Sequence, residues 1–378
     1  LTIGKNNKAQ MRMEVAMIKT SKKVLSFVLA IAMLLSTTAC SGGDKSWSVK
    51  NDNLTVPIGV YIYNLYASYQ MAESSVPDKT KPVLDQKIEG KDAESYIKEK
   101  ALNYTKMLLV MEDKMKEHNL KLTDEEQKAI QSATETQWQQ AGGILEKYGV
   151  AKTSFQMAFA EYYVKFQKIF TAVYGKGGKK AVPDDELKKY FEEKYTDFSM
   201  ISKPLSKSDA NGAVTALSSD EKEKAKKEFD EYAADIKSGK KTMRQAADAY
   251  KASSKSETDV LENYTQPLAS SPYFKDFAAV LDKMQPGEVK ATEIAGSYVV
   301  IMKNDIKSKT AEYLKNESNR NEILVNDKGQ EFSDEMDKLA AEYKNAQINE
   351  SAINSYKPSM FVTPSESAAA PASSVASK

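Results

Sequence analysis

Val182-Pro-Asp-Asp-Glu-Leu-Lys-Lys-Tyr-Phe191 separates two kinds of pattern in this chain. Pro183 followed by three acidic residues opens a helix, because proline is preset for a first helical turn and carboxylates favour the positive end of a helix. That helix is expected to reach about Tyr195. Beyond it the period changes: Phe198-Ser-Met-Ile201 alternates like a short strand, which Pro204 ends. A charged helix is expected from Ser218 or Ser219 to about Lys237, then a short helix over Lys241 to Tyr250 and a polar loop over Ser253 to Thr258. Tyr273 to Lys283 reads as a helix, Gln285-Pro286-Gly287-Glu288 as a tight turn and Tyr298 to Met302 as a strand. The order β, α, α, α, β describes a small α+β unit.

On either side of this unit the pattern is helical. Asp44 to Asn53 reads as a polar tether, and an aromatic-rich helix follows Leu54 to Gly59. A second helix from Asp92 carries Ile97, Ala101, Tyr104, Leu108, Met111 and Met115 at spacings of three and four. Leu122-Thr-Asp-Glu-Glu126 is a capping box that opens a polar helix to about Ala141, with Gly142-Gly143 as its break. After Tyr148-Gly-Val150 and a cap at Thr153, Phe155, Phe159, Tyr162, Phe166, Ile169 and Val173 share one helical stripe. Helices return over Tyr313 to Val325 and Glu331 to Ala346. The tail from Thr363 is Ser, Ala and Pro, a composition too poor in apolar groups to order itself.

Composition removes most enzyme templates. With 54 Lys and Arg against 53 Asp and Glu, the formal charge is +1 and the signs are interspersed, so no basic stripe points to nucleic acid. One histidine and one cysteine supply neither a zinc cluster nor a Ser-His-Asp triad. The histidine, His118, sits in a polar stretch and reads as a solvated helix cap. No phosphate-cradling glycine loop is present, no pair of carboxylates is singled out, and no cofactor or metal is expected.

The cysteine, Cys40, closes an apolar run from Val24 to Ala39 preceded by Lys19, Lys22 and Lys23. Its apolar stretch, before Ser36, is roughly a dozen residues, short of the ~20 that span a bilayer, so it reads as a secretory signal rather than an anchor. Met17 is a natural start. Thr37-Thr-Ala-Cys40-Ser-Gly resembles a bacterial lipobox, with Thr37 where leucine is usual. That resemblance makes Cys40 a lipidation site, and the alternative is a free cysteine behind an ordinary signal. No other cysteine is available for a disulfide.

Leu122 to Glu126, the turn from Tyr148 into the helix at Phe155, Val182 to Phe191, Met284-Gln-Pro-Gly-Glu-Val289 and Gly296-Ser-Tyr-Val-Val-Ile301 occur in an order that resembles the exported foldases of the PrsA and SurA type. The resemblance covers roughly Val60 to Tyr356. It implies an α+β, mainly helical chaperone module, made from an N-terminal arm and a C-terminal helix, with an inserted parvulin-like prolyl isomerase domain. The implied organisation is 1–39 upstream segment and signal, 40–53 lipid attachment and tether, 54–195 helical arm, 196–307 degenerate parvulin-like domain, 308–360 C-terminal helices and 361–378 disordered tail. The parvulin histidines fall on Met200 and Tyr298 in this sequence, the Cys or Asp near Lys251 to Ser253, and the methionine of the proline pocket near Ser270 or Ser271. Only Phe274 matches the pocket aromatic.

The resemblance therefore implies a chaperone of unfolded or nascent secreted polypeptides, with weak or no isomerase activity. It would be held through lipidated Cys40 on the extracytoplasmic face of the membrane of a monoderm bacterium, and a homodimer is compatible with it. Tyr61, Tyr63, Tyr66 and Tyr69, with Met107, Met111, Met115 and Met157, are candidate client-binding residues, since thioethers and aromatic rings give adaptable apolar contacts. The alternative for each is a place in the arm's own core. Competing functions are a helical surface lipoprotein, as adhesin or ligand capture, and an active prolyl isomerase.

Overall fold

A computed structural model describes residues 45–208, 213–254, 260–269 and 274–362. The signal segment, Cys40, most of the loop before Thr258, Ser270, Ser271 and the tail from Thr363 lie outside these residues. In chain order the elements are β1 (Trp47–Lys50), β2 (Thr55–Pro57), α1 (Ile58–Ser75), β3 (Lys87–Ile88), β4 (Lys91–Asp92), α2 (Ala93–Glu117), α3 (Asp124–Lys147) and α4 (Lys152–Gln156). A π turn (Met157–Glu161) joins α4 to α5 (Tyr162–Tyr174). Then come α6 (Asp184–Lys194), β5 (Tyr195–Pro204), β6 (Ser206–Ser208), β7 (Val214–Ala216), α7 (Ser219–Lys237), α8 (Met243–Ser254), β8 (Val260–Pro267), α9 (Lys275–Asp282), β9 (Val289–Ile294) and β10 (Ser297–Lys303). The chain closes with α10 (Ile306–Lys315), α11 (Glu317–Ala341), β11 (Gln347–Ile348), α12 (Glu350–Ile353) and a 3-10 turn (Pro358–Phe361). The fold class is α+β and mainly helical, as the sequence implied.

Contacts divide the described residues into a sheet unit, Val182–Asp327, and a helical unit, 45–181 with 328–362. The sheet unit is wider than the 196–307 expected, because helices on both sides of that range pack within it. Phe191 of α6 stacks on Tyr313 of α10 at 4.6 Å between ring centroids. Arg320, buried, donates from Nη2 to Asp184 Oδ1 at 2.9 Å.

In the helical unit, local chemistry sets most helix starts. The Asp92 side chain accepts from the Ser95 amide to cap α2. The Thr123 amide donates to Glu126 Oε2 at 2.7 Å while the Glu126 amide donates to Thr123 Oγ1 at 3.2 Å, the reciprocal box read from the sequence. Three expectations fail here. Gly142-Gly143 does not break α3: a Cβ at Gly142 would lie 2.7 Å from the Trp138 indole, so the glycine makes room for that ring inside a continuous helix. The stop comes at Gly149, with φ +87°, where the Val150 amide reaches back to the Leu145 carbonyl at 3.0 Å. The next cap is Ala151 rather than Thr153. His118 is the C-cap of α2 as expected, but its side chain is half-buried, 13% exposed, rather than openly solvated.

Both ends assigned to tether and tail are partly ordered. Trp47–Lys50 is a strand between β2 and β11, with Val49 fully buried and paired to Ile348, so the expected tether is structured from Trp47 onward. Phe361, expected in the disordered tail, is buried and meets Tyr148 edge-on at 4.8 Å.

The sheet unit is built on a four-stranded antiparallel sheet in the order β8-β5-β10-β9. β10 pairs with β5 from Ser297↔Pro204 to Lys303↔Phe198, with Val300 opposite Ile201 and Ile301 opposite Met200. Because side chains alternate across a strand, this register sends Ile201 and Val300 to one face and Phe198, Met200 and Ile301 to the other. Helices α7 and α8 cover the first face with Phe229, Tyr232, Met243 and Tyr250; α9 covers the second with Phe274, Leu281 and Met284. The edge strands β8 and β9 were not expected from the sequence. Helix α7 starts at Ser218 in a second capping box, with Glu221 as its acid.

Replacing Phe229, fully buried and edge-on to Tyr250 at 5.2 Å, by alanine should cost about 3–5 kcal/mol in denaturant unfolding of the sheet unit. A smaller loss would mean that the α7 face is loosely packed. Hydrogen bonds from the Ser218 amide, and then Lys207 and the Ser218 side chain, hold the Glu221 carboxyl down at about 2 against an ordinary 4.5. A depressed acid contributes stability above its unfolded pKa and loses it as pH falls through the folded one. The stability gap between the native protein and Glu221→Gln should thus be constant above about pH 5 and close toward pH 2; a gap that persists at pH 2 contradicts the capping assignment.

Candidate functional site

The sheet unit places Met200 and Phe274 together and Tyr298 elsewhere. Phe274 opens α9 and stacks on Phe198 at 5.7 Å and on Phe277 at 6.0 Å, with Met200, Leu261 and Tyr264 packed around them. Only 9% of Phe274 is exposed, so its ring is a wall of the core rather than the lip of an open pocket. Tyr298 lies on the opposite face against Phe229, at 6.3 Å and 88°. The assignment of Tyr298 to a common pocket with Met200 is therefore corrected by register: Tyr298 pairs with Lys203, an odd number of residues from Met200. On β10 it is Val299 and Ile301 that share the Met200 face.

Lys303 belongs to that face too. Its Nζ donates to the carbonyls of Leu281 and Met284 at 2.8 and 2.9 Å, placing a cation at the C-terminal end of α9, where the helix dipole favours it. Near the same end of the sheet the fully buried Asp197 accepts from Thr265 Oγ1 and Asn304 Nδ2, both at 2.5 Å. Asn304 also approaches Ser199 Oγ at 3.3 Å, and Ser199 in turn takes the amide of Asn263, which has φ +50°. Sequence reasoning missed this network. Its only trace was an aspartate inside an otherwise apolar, alternating segment. It ties β5, β8 and the end of β10 together across a strand irregularity between Phe198 and Met200.

Rotation about a prolyl amide faces a barrier of about 18–20 kcal/mol, and a protein lowers it by holding the ring and stabilising the twisted amide. Phe198 and Phe274 are both buried and offer a prolyl ring no open surface. The single histidine of the chain, His118, belongs to the helical unit, so the sheet unit has none of its own.

The helical unit carries a second aromatic site. Ile62, Leu145, Val150 and Phe155 form a core ringed by Tyr63, Tyr66, Trp138 and Tyr148. Phe155 meets Tyr63 edge-on at 5.3 Å, lies 5.4 Å from Trp138, and stacks on Phe159 at 5.1 Å and 13°. Two aromatic side chains of this stretch are exposed, Phe159 at 37% and Tyr163 at 50%. Burial, with Tyr66 adding, pushes the Tyr63 phenol up to about 12, so it stays neutral. Beside this cluster Asn64, Tyr104, Leu108, Ala158 and Tyr162 line a cleft of about 130 Å³.

The client-binding candidates divide accordingly. Tyr63, Tyr66 and Met157 are half-buried, in or next to the aromatic site. Tyr61, Tyr69, Met107, Met111 and Met115 are buried in the core of the unit, at 5% exposure or less, and cannot contact a client without unfolding. They sit on the inward stripes of α1 and α2, where apolar periodicity alone does not tell core from groove. Phe159 and Tyr163, the exposed aromatics, were not among the candidates; Phe159 had been read as part of a core stripe.

Residues 207–305 match the family model described as rotamase, PPIC-type PPIASE domain. No curated protein matches the chain. Among solved structures, the foldase protein PrsA from Lactococcus lactis is 16% identical, with 82% of this chain and 97% of that one covered, at a TM-score of 0.33. PrsA from Bacillus subtilis is 18% identical over 72% and 91% at a TM-score of 0.28, and the foldase protein PrsA from Streptococcus pneumoniae is 13% identical over 68% and 88% at 0.32. The resemblance read from the sequence stands where the family model falls: residues 207–305 are similar to a PPIC-type, parvulin-like prolyl isomerase domain.

Proposed function

We propose that this protein is an extracytoplasmic foldase that holds unfolded secreted polypeptides on its helical unit, is tied to the membrane by lipid on Cys40, and has weak or no prolyl isomerase activity. The observation that carries the proposal is the aromatic stack running from buried Phe155 to exposed Phe159, with Tyr163 more exposed still. Rings kept at the surface offer apolar contact that is not directional, which suits a sequence-tolerant client. The match over 207–305 supports a foldase, and the absence of histidine from those residues supports weak catalysis. Among the described residues no helix is long and apolar enough to cross a membrane, so attachment in this proposal rests on Cys40.

An active isomerase is the second reading, favoured by the family match alone. The two separate in paired assays on the exported body, with aggregation of a reduced, unfolded secreted protein followed beside a proline-limited refolding reaction. Suppressed aggregation with an unchanged slow phase is expected; acceleration of that phase supports the isomerase, and no effect in either assay favours the surface-lipoprotein alternative. The double variant Phe159→Ser/Tyr163→Ser should weaken suppression several-fold while its thermal unfolding stays close to native, since exposed side chains contribute little to stability. Full suppression by that variant would remove the aromatic stack from the account.

A further inference from the structure

The cleft lined by Asn64, Tyr104, Leu108, Ala158 and Tyr162 holds polar groups that the fold itself leaves unpartnered. Asn64 is 7% exposed. Its Nδ2 donates to Thr105 Oγ1 at 3.0 Å, and its Oδ1 makes no hydrogen bond to any described residue. The residue is buried but this oxygen is not sealed off, so it is open to a donor that enters the cleft. The Tyr162 hydroxyl likewise makes no hydrogen bond to a described residue, while Tyr104 has only the weak contact of its hydroxyl with Met71 Sδ at 3.8 Å. Burial, with the Asp337 carboxylate adding, pushes the Tyr162 phenol up, so it remains a neutral donor. Ala158 sits in the π turn, an irregularity that recurs at functional positions, and with Leu108 gives the cleft an apolar wall.

An acceptor, two phenolic hydroxyls and a small apolar wall match the main chain of an extended polypeptide. We infer that this cleft is a backbone subsite: Asn64 Oδ1 accepts an amide N–H of the client, a tyrosine hydroxyl donates to a client carbonyl, and Leu108 with Ala158 takes a small apolar side chain. Recognition of this kind is indifferent to client sequence, because every peptide group offers the same donor and acceptor. The inference rests on the client-binding proposal above and assigns to it the chemical group that is gripped.

The test uses a short, labelled, unstructured peptide of Gly, Ala and Leu, and the same peptide N-methylated at alternate residues, with binding read by fluorescence anisotropy. The native protein should bind the N-methylated peptide about five-fold more weakly, the effect of one lost hydrogen bond. Tyr162→Phe should bind the unmodified peptide weaker by a similar factor with its melting temperature unchanged. Ala158→Phe, which fills the cleft, should bind both peptides equally weakly, because the penalty of N-methylation disappears when the subsite is blocked. Unmodified binding by Tyr162→Phe together with an N-methylation penalty that survives in Ala158→Phe overturns the subsite and leaves the holding function intact. Failure of the native protein to bind either peptide, or an unfolded protein, overturns both.

Discussion

The pairing of β10 with β5 is the constraint on which the sheet unit depends. Helices cover both faces of these two central strands, so each residue from Phe198 to Ile201 and from Val299 to Ile301 is sent to a wall of side chains, whichever way it points. Such strands favour apolar residues throughout. Two of the buried polar residues of β5, Asp197 and Ser199, are held within the Thr265, Asn263 and Asn304 network. A sheet packed this way gives a stable platform and leaves little at its centre that can titrate. Met200 lies inside one core and Tyr298 against the other.

The helical unit solves a different problem. Its inward stripes, with Tyr61, Leu65, Ile97, Met107 and Met111 near zero exposure, build a core that does not depend on a client. The aromatic site grows out of that core through Phe155, so the exposed rings of Phe159 and Tyr163 stand on rigid packing rather than on a loop. Stability and client contact then fall on different residues of the same helices. The cleft by the π turn adds hydrogen-bonding groups to this apolar surface, and the combination suits a chain held by its backbone and any apolar side chain it presents.

Local chemistry made much of this legible in the sequence. The box at Thr123, the helix start at Ser218, the acidic start of α6 and the helical stripes all survive, because each is decided within a few residues. The features that were missed are decided by distant partners. Trp47–Lys50 is a strand because Thr55–Pro57 and Gln347–Ile348 flank it, which a polar stretch near a signal does not disclose. β8 and β9 are sheet edges whose outward positions carry Glu262, Lys290 and Glu293, so their alternation is diluted by charge. Gly142 reads as a breaker until the Trp138 indole that it admits is seen. In the candidate sites, periodicity placed the tyrosines and methionines on helix faces but not on the inner or outer side of a core, and it assigned the faces of β10 without the register that fixes them.

The most direct measurement is hydrogen exchange of the protein with and without a bound, permanently unfolded client such as a reduced and carboxymethylated secreted protein. Added protection in α1, α2 and the stretch from α4 through α5, with β5, β8 and β10 unchanged, is the predicted result. Protection confined to the sheet strands and α9, with the helical unit unaffected, would contradict the account and move client recognition to the parvulin-like unit.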